Sequence, residues 1–359
     1  MRRPKSPLKT IFKQRIYYFL EVLIIFLGIF IFMLIPVFLL PFLIDFFFLN
    51  PVIFEPLFFI VRAAIIIVAI PLFLYLSNFI MEPQKKKLIL EEDVSPSKNF
   101  LSLFNITKKN FKYQLLYGIL LLFLIFIPLD FFVYLFLPEM LSYSSIVLNP
   151  TGELSYNSYF MESYYVFLLS VIIIQISVAI YEETLVRGFL ANKGSVYLKK
   201  MSAVIITSFF FGLGHFGYIF VIPGIGLPII FPIMWFLQTF FVGIILAMLV
   251  LRRRWIFPVI FAHAVNNIIS AHSIWSFIHG NDFSLMSFIV YVPLLTISIF
   301  LFVWQFSRIK ESLSIGFKEF ISYFKKDNEM GEGWLKKIVR IMMDFLFGLI
   351  IFMIGVFIL

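Results

Sequence analysis

Nine times along this chain, about twenty mostly apolar residues follow one another, near 17–41, 57–80, 113–137, 163–190, 201–222, 228–251, 255–275, 284–305 and 338–359. A helix rising about 1.5 Å per residue needs about that many to cross roughly 30 Å of hydrocarbon. Inside a bilayer no water satisfies a backbone N–H or C=O, so each stretch must close its own hydrogen bonds. The expected fold is therefore all-α, a polytopic transmembrane bundle of about nine spans.

Composition carries the same constraint. The chain is 62% hydrophobic and 14% charged over 359 residues, with a mean hydropathy of +1.01. A soluble fold of that length needs far more polar surface. The formal net charge of +9 then reports topology, and no nucleic-acid partner is expected. Lys and Arg gather in the amino-terminal tail, in 82–112, in 191–200, at Arg252–Arg254 and in 306–340. The alternate loops 42–56, 138–162, 223–227 and 276–283 contain neither. Under the positive-inside rule the amino terminus is cytoplasmic and the carboxyl terminus lies outside. The basic start, MRRPKSPLKTIFKQR, reads as a retained signal anchor. Absence of cysteine excludes disulfides, thiolate nucleophiles and Cys-based metal sites. No phosphate loop, dinucleotide fingerprint or His-Glu-x-x-His motif is present.

Beyond Phe306, the apolar residues Ile309, Leu313, Phe317, Phe320 and Phe324 recur at three- and four-residue steps, with Arg308, Lys310, Lys318, Lys325 and Lys326 between them. That pattern predicts a basic amphipathic helix on the anionic inner leaflet of the bilayer.

The fourth span breaks the apolar rule at Glu182, Glu183 and Arg187. A charged side chain at the centre of a membrane helix costs about 2.5–3.5 kcal/mol on insertion scales. A segment that only had to cross would not carry three within six residues. Glu183 and Arg187 stand at i and i+4 and can pair; Glu182 points about 100° away, without an obvious local partner. Later spans supply Phe211-x-x-x-His215 and His263-x-x-x-Asn267. One carboxylate, two imidazoles and an amide at a shared depth suit hydrolysis: Glu182 activates water, and the His and Asn groups polarise a carbonyl. Counted back from the cytoplasmic ends, His215 lies deeper than the others unless the 191–200 loop re-enters the membrane. Glu182, His215 and His263 also form a ligand set that zinc accepts. Asn is a poor zinc ligand and no tight His pair exists, so no cofactor is favoured and zinc stays the alternative. Asp45, Arg62 and Asp130 read as ion-pairing residues that fix the first three spans, and His272 and His279 as interfacial. Asn266 points away from Asn267 and is at most peripheral.

Glu-Glu-x-x-x-Arg, Phe-x-x-x-His and His-x-x-x-Asn, in that order on successive membrane helices, resemble the CPBP family of CAAX proteases and bacteriocin-processing enzymes, also called Abi. The likeness runs from about Ser163 to Ala271, and the strings Glu-Glu-Thr-Leu-Val-Arg-Gly-Phe-Leu and Ala-His-Ala-Val-Asn-Asn belong to it. The resemblance implies an intramembrane endopeptidase with Glu182 as water-activating base, assisted by His215. It implies His263 and Asn267 at the oxyanion, with Glu183 and Arg187 supporting the site. A peptide or lipidated-protein substrate follows, in a plasma membrane whose bacterial character the Phe-, Ile- and Lys-rich composition suggests. The organisation expected is 1–112 as basic tail, two spans and linker, 113–305 as a CPBP-like core of eight spans or fewer, and 306–359 as amphipathic segment and last span. A catalytically idle binding or immunity protein of the same fold competes with this reading. A proton-coupled transporter would need matched repeats, which the sequence does not display.

Overall fold

In the computed structural model, residues 7–47, 51–85, 95–148, 158–216, 228–326, 332–356 and 358 are described. Among them there is no strand. Twelve helices follow in order: α1 (Pro7–Phe47), α2 (Pro51–Lys85), α3 (Pro96–Leu101), α4 (Phe111–Phe136), α5 (Glu139–Leu148), α6 (Tyr164–Tyr197), α7 (Lys200–Phe216), α8 (Ile230–Arg253), α9 (Phe257–Ile278), α10 (Phe283–Trp304), α11 (Phe306–Tyr323) and α12 (Trp334–Gly355). The protein is an all-α polytopic membrane protein.

A helix stands at each of the nine expected spans. Seven are long and apolar enough to cross a membrane by themselves: α1, α2, α4, α6, α8, α10 and α12. The other two are α7, which is apolar but short, and α9, which carries His263, Asn266, Asn267, Ser270 and His272. These are the helices that bring the later polar motifs inward, so their polarity belongs to the protein interior and not to lipid.

Helix α6 is the hub. Its early residues Phe167, Val171 and Ile174 pack in one core cluster with α4, α5, α8 and α9. Its later residues Tyr181, Leu185 and Phe189 pack in a second with α1, α2, α7 and α12. Small residues set the close approaches. A Cβ on Gly243 of α8 would sit 3.2 Å from Ser208 of α7, and one on Gly118 of α4 would sit 3.2 Å from the Pro258 carbonyl of α9. Apolar side chains such as Phe38, Phe79, Phe288 and Phe300 point outward, as a lipid-facing surface requires.

Three helices contain a widened, π-type turn. In α4 it covers Leu122–Phe126 and in α10 Ser287–Tyr291. Each lies just ahead of a proline, Pro128 or Pro293. A proline has no N–H to donate and its ring crowds the carbonyl four residues back, so the preceding turn opens. The third, Thr184–Ala191 in α6, precedes no proline. It coincides with the buried Glu183–Arg187 pair.

The 191–200 segment departs from expectation. It is helix to Tyr197, with Asn192 and Lys193 buried, and only Leu198 and Lys199 link α6 to α7. Lys193 is held by Glu21 of α1 at 3.6 Å, and the same carboxylate accepts from Tyr197 and Ser77. Those hydrogen bonds to α1 and α2 satisfy polar groups that water would otherwise have to reach, so the helix continues.

The amphipathic helix forms as expected. Leu313 and Phe317 are exposed on it, while Phe320 packs inward and Lys200 pairs with Glu319 at 3.1 Å. Its end is tied by a buried network absent from the sequence reading. Asp344 of α12 accepts from Arg15 of α1 at 2.5 and 2.9 Å and from Tyr323 at 3.0 Å, and Arg340 pairs with Glu332 at 2.9 Å.

Candidate active site

The α6–α7 hairpin sets the depth of the site. Gly194 packs on Ala203, where an added Cβ would meet the alanine methyl at 3.0 Å. Glu182 precedes Gly194 by twelve residues and His215 follows Ala203 by twelve, so each lies about 18 Å from that level. Helix α9 joins through Arg254, whose guanidinium hydrogen-bonds the side chains of Asn192 and Asn99. Counting from that contact, Glu182 is ten residues before Asn192, about 15 Å, and His263 is six residues past Phe257, about 9 Å beyond the short non-helical turn at 254–256. The three residues share a depth with no re-entrant loop.

At that depth Glu183 and Arg187 are fully buried and paired at 2.9 Å. The guanidinium also lies over the Phe211 ring, 4.1 Å from its centre, a placement that lends a buried cation further stabilisation. The same oxygen, Glu183 Oε1, accepts from His263 Nδ1 at 2.8 Å. With Nδ1–H donated there, the acceptor nitrogen of a neutral ring is Nε2. It faces Glu182 Oε2 at 3.7 Å. The ring is flanked by Phe126, nearly parallel, and by Phe211, edge-on.

His215 donates from Nδ1 to the Phe211 carbonyl at 3.1 Å, one turn back along α7, so its Nε2 is likewise the acceptor. Asn267 donates through Nδ2 to Gln175 Oε1 of α6 at 3.1 Å, leaving its second amide hydrogen for another acceptor. Glu182, His215, His263 and Asn267 line one cavity of about 520 Å³. Glu183 and Arg187 are not in its wall; they sit behind His263.

Several expectations need correction. Glu182 has neighbours: the Tyr181 hydroxyl donates to its Oε1 at 3.4 Å, besides the contact with His263. Asp130 is not in an ion pair, for no Lys, Arg or His lies within pairing distance among the described residues; it accepts from Gln238 Nε2 at 2.8 Å. It lines the cavity, as does Arg62, which donates to the Ile358 carbonyl and stacks on Tyr181. The Asp45 side chain lies outside the described residues. Asn266 is buried and also lines the cavity. His279 donates to the Trp275 carbonyl at 2.8 Å, and His272 lies among Tyr164, Phe167 and Trp275, away from the cavity wall. Gln175 was missed altogether. Its signal was a lone amide in an apolar run, two helical turns before Glu182 and so on the same face.

Among the described residues, no three His, Asp or Glu side chains converge as a ligand set. His263 has one nitrogen on Glu183 and the other toward Glu182. Glu182, His215 and His263 do not fit a three-ligand zinc site in this arrangement.

Residues 164–269 match the family described as type II CAAX prenyl endopeptidase Rce1-like. The segment is Rce1-like. This bears out the resemblance read from the motifs, over nearly the same residues. The Rce1-like segment begins with α6, ends within α9 and contains all seven of the motif residues; α1–α5 and α10–α12 lie outside it. No curated protein and no solved structure matches the chain. The motif order, the seven long apolar helices and this match together describe a multi-pass membrane protein with a segment similar to a CAAX protease family.

Proposed function

We propose that the protein is an intramembrane endopeptidase that cleaves a membrane-embedded or lipidated peptide by metal-free general-base catalysis. The observation that carries this is the convergence of Glu182, His215, His263 and Asn267, from three helices, on one cavity about 15 Å from the level of Arg254 and Asn192. With the amino terminus cytoplasmic, that level is the inner face, so the bond cut lies in the inner half of the bilayer.

In this mechanism a water between Glu182 and His215 attacks the scissile carbonyl carbon. Glu182 takes one proton as the C–O bond forms, and His215 Nε2 accepts a hydrogen bond from the same water and aligns it. Negative charge develops on the carbonyl oxygen, where the second Asn267 amide hydrogen is available as a donor. His263, held by Glu183, sits between Glu182 and the carbonyl and donates once the proton reaches its Nε2. When the C–N bond breaks, that proton goes to the leaving nitrogen, and the products are a carboxylic acid and an amine, which then exchange the second water proton to become carboxylate and ammonium. Glu183 and Arg187 act through His263: they hold its ring and supply a balanced charge pair behind it.

The test is cleavage of a membrane-peptide library by the full chain in proteoliposomes, beside Glu182→Gln. Cleavage lost by about a hundred-fold or more in the variant, with folding intact, is the expected result. Equal activity in both proteins removes Glu182 from the chemistry, and no cleavage by either leaves a binding protein of the same fold.

A further inference from the structure

The cavity holds a second polar group, one turn outward from His263. Phe126 of α4 lies against His263 of α9. Four residues along α4, Asp130 is flanked by Asn266 and Ser270 of α9, and at the next turn the Tyr134 hydroxyl meets Ser270 at 3.0 Å. The two helices therefore run side by side in the same direction. Asp130 lies about 6 Å beyond the level of His263. Both Asp130 and Asn266 are more than nine-tenths buried and both line the cavity.

Their hydrogen bonding is incomplete in one sense only: acceptors are left over. Gln238 satisfies Asp130 Oδ1. Asp130 Oδ2 and Asn266 Oδ1 have no hydrogen-bond partner of good geometry among the described residues, although the Asn266 and Ser270 side chains stand beside the carboxylate. A buried carboxylate is stable when a cation or several donors meet it, and a buried amide oxygen needs a donor too. A hydroxyl would satisfy one of the two oxygens. An ammonium or guanidinium brings several N–H donors and the opposite charge.

We propose that Asp130 is a specificity-determining residue that, with Asn266, accepts the hydrogen bonds of a basic side chain of the substrate. This rests on the reading of the cavity as a peptide site. An extended chain rises about 3.3 Å per residue, so about 6 Å places the Lys or Arg some two residues from the bond presented to Glu182. Asp130 lies in α4, outside the Rce1-like segment, and Asn266 lies within it, so this selectivity joins a surrounding helix to the matched segment.

The test uses the full chain in proteoliposomes with Glu182→Gln as a non-cleaving background. The probes are membrane-spanning peptides in which one Lys is walked along the sequence, each paired with a norleucine control. At one register, Lys should bind at least about ten-fold tighter than norleucine. Asp130→Asn should bring the ratio to near one, and Asp130→Glu should keep most of it; retained thermal stability separates this from misfolding. A ratio near one at every register, or one unchanged by Asp130→Asn, overturns the proposal. Cleavage by the unsubstituted chain is scored separately. If it is absent while the Asp130-dependent preference holds, the peptidase reading falls and the binding subsite stands.

Discussion

His263 Nδ1 and Glu183 Oε1 lie 2.8 Å apart, and Arg187 reaches the same oxygen at 2.9 Å. One carboxylate oxygen on α6 thus orients the imidazole of α9 and neutralises a buried guanidinium. The neighbouring Glu182 faces the cavity, so two adjacent carboxylates differ in role because they differ in direction.

Replacing Glu183 by Gln leaves Arg187 buried without its anion. Breaking a buried pair from one side costs about 3–5 kcal/mol, so Glu183→Gln should lower the unfolding temperature in detergent and abolish cleavage. Glu183→Leu combined with Arg187→Met should recover most of the stability and none of the activity, because His263 then lacks its acceptor. Recovery of both would mean that the pair serves packing alone.

Asn267→Ala should reduce kcat by about a hundred- to a thousand-fold with little change in KM, the loss found when one oxyanion donor is removed. Gln175→Leu should act through Asn267. Losing one neutral hydrogen bond, worth about 1 kcal/mol, reduces kcat about five-fold. Steady-state kinetics on one cleaved peptide separates the two, and an effect of Asn267→Ala on KM alone would place the amide in substrate binding.

Chelators should leave cleavage unchanged, since His263 is committed to Glu183 and Glu182 on its two sides. Loss of activity in chelator, regained with added zinc, would return Glu182, His215 and His263 to ligand roles.

Arg254 caps α8 with φ 59°, the positive φ of a non-glycine residue among the described residues. A side chain there costs about 1–2 kcal/mol, offset by guanidinium bonds to Asn99 and Asn192. Arg254→Ala loses the bonds and keeps the strain; Arg254→Gly loses both. The glycine variant should therefore be more stable than the alanine variant by about 1 kcal/mol in denaturant unfolding. Both should be less active than the native chain, because Arg254 sets the level of α9 against α6.

The spans were legible in the sequence because the bilayer imposes one length and one polarity on every crossing segment. The Rce1-like motifs were legible because ionisable groups stand out against an apolar run, as Glu182, Glu183 and Arg187 do. Local order stopped there. Whether Glu183 pairs with Arg187 alone or also with His263, eighty residues later, depends on how α6 and α9 pack. The same holds for Asp130 and Gln175, whose lone polar side chains in apolar helices have no meaning until a neighbour is placed beside them. The sequence by itself determined a helical membrane bundle, its loop polarity and the seven motif residues. Tertiary structure decided which carboxylate faces the cavity, which one holds the histidine and which polar residues of other spans share the wall. The physical reason is that periodicity fixes a side chain's direction only relative to its own helix axis. The partner is chosen by close packing at residues such as Gly118, Gly194 and Gly243, where one helix is allowed near enough to reach the next.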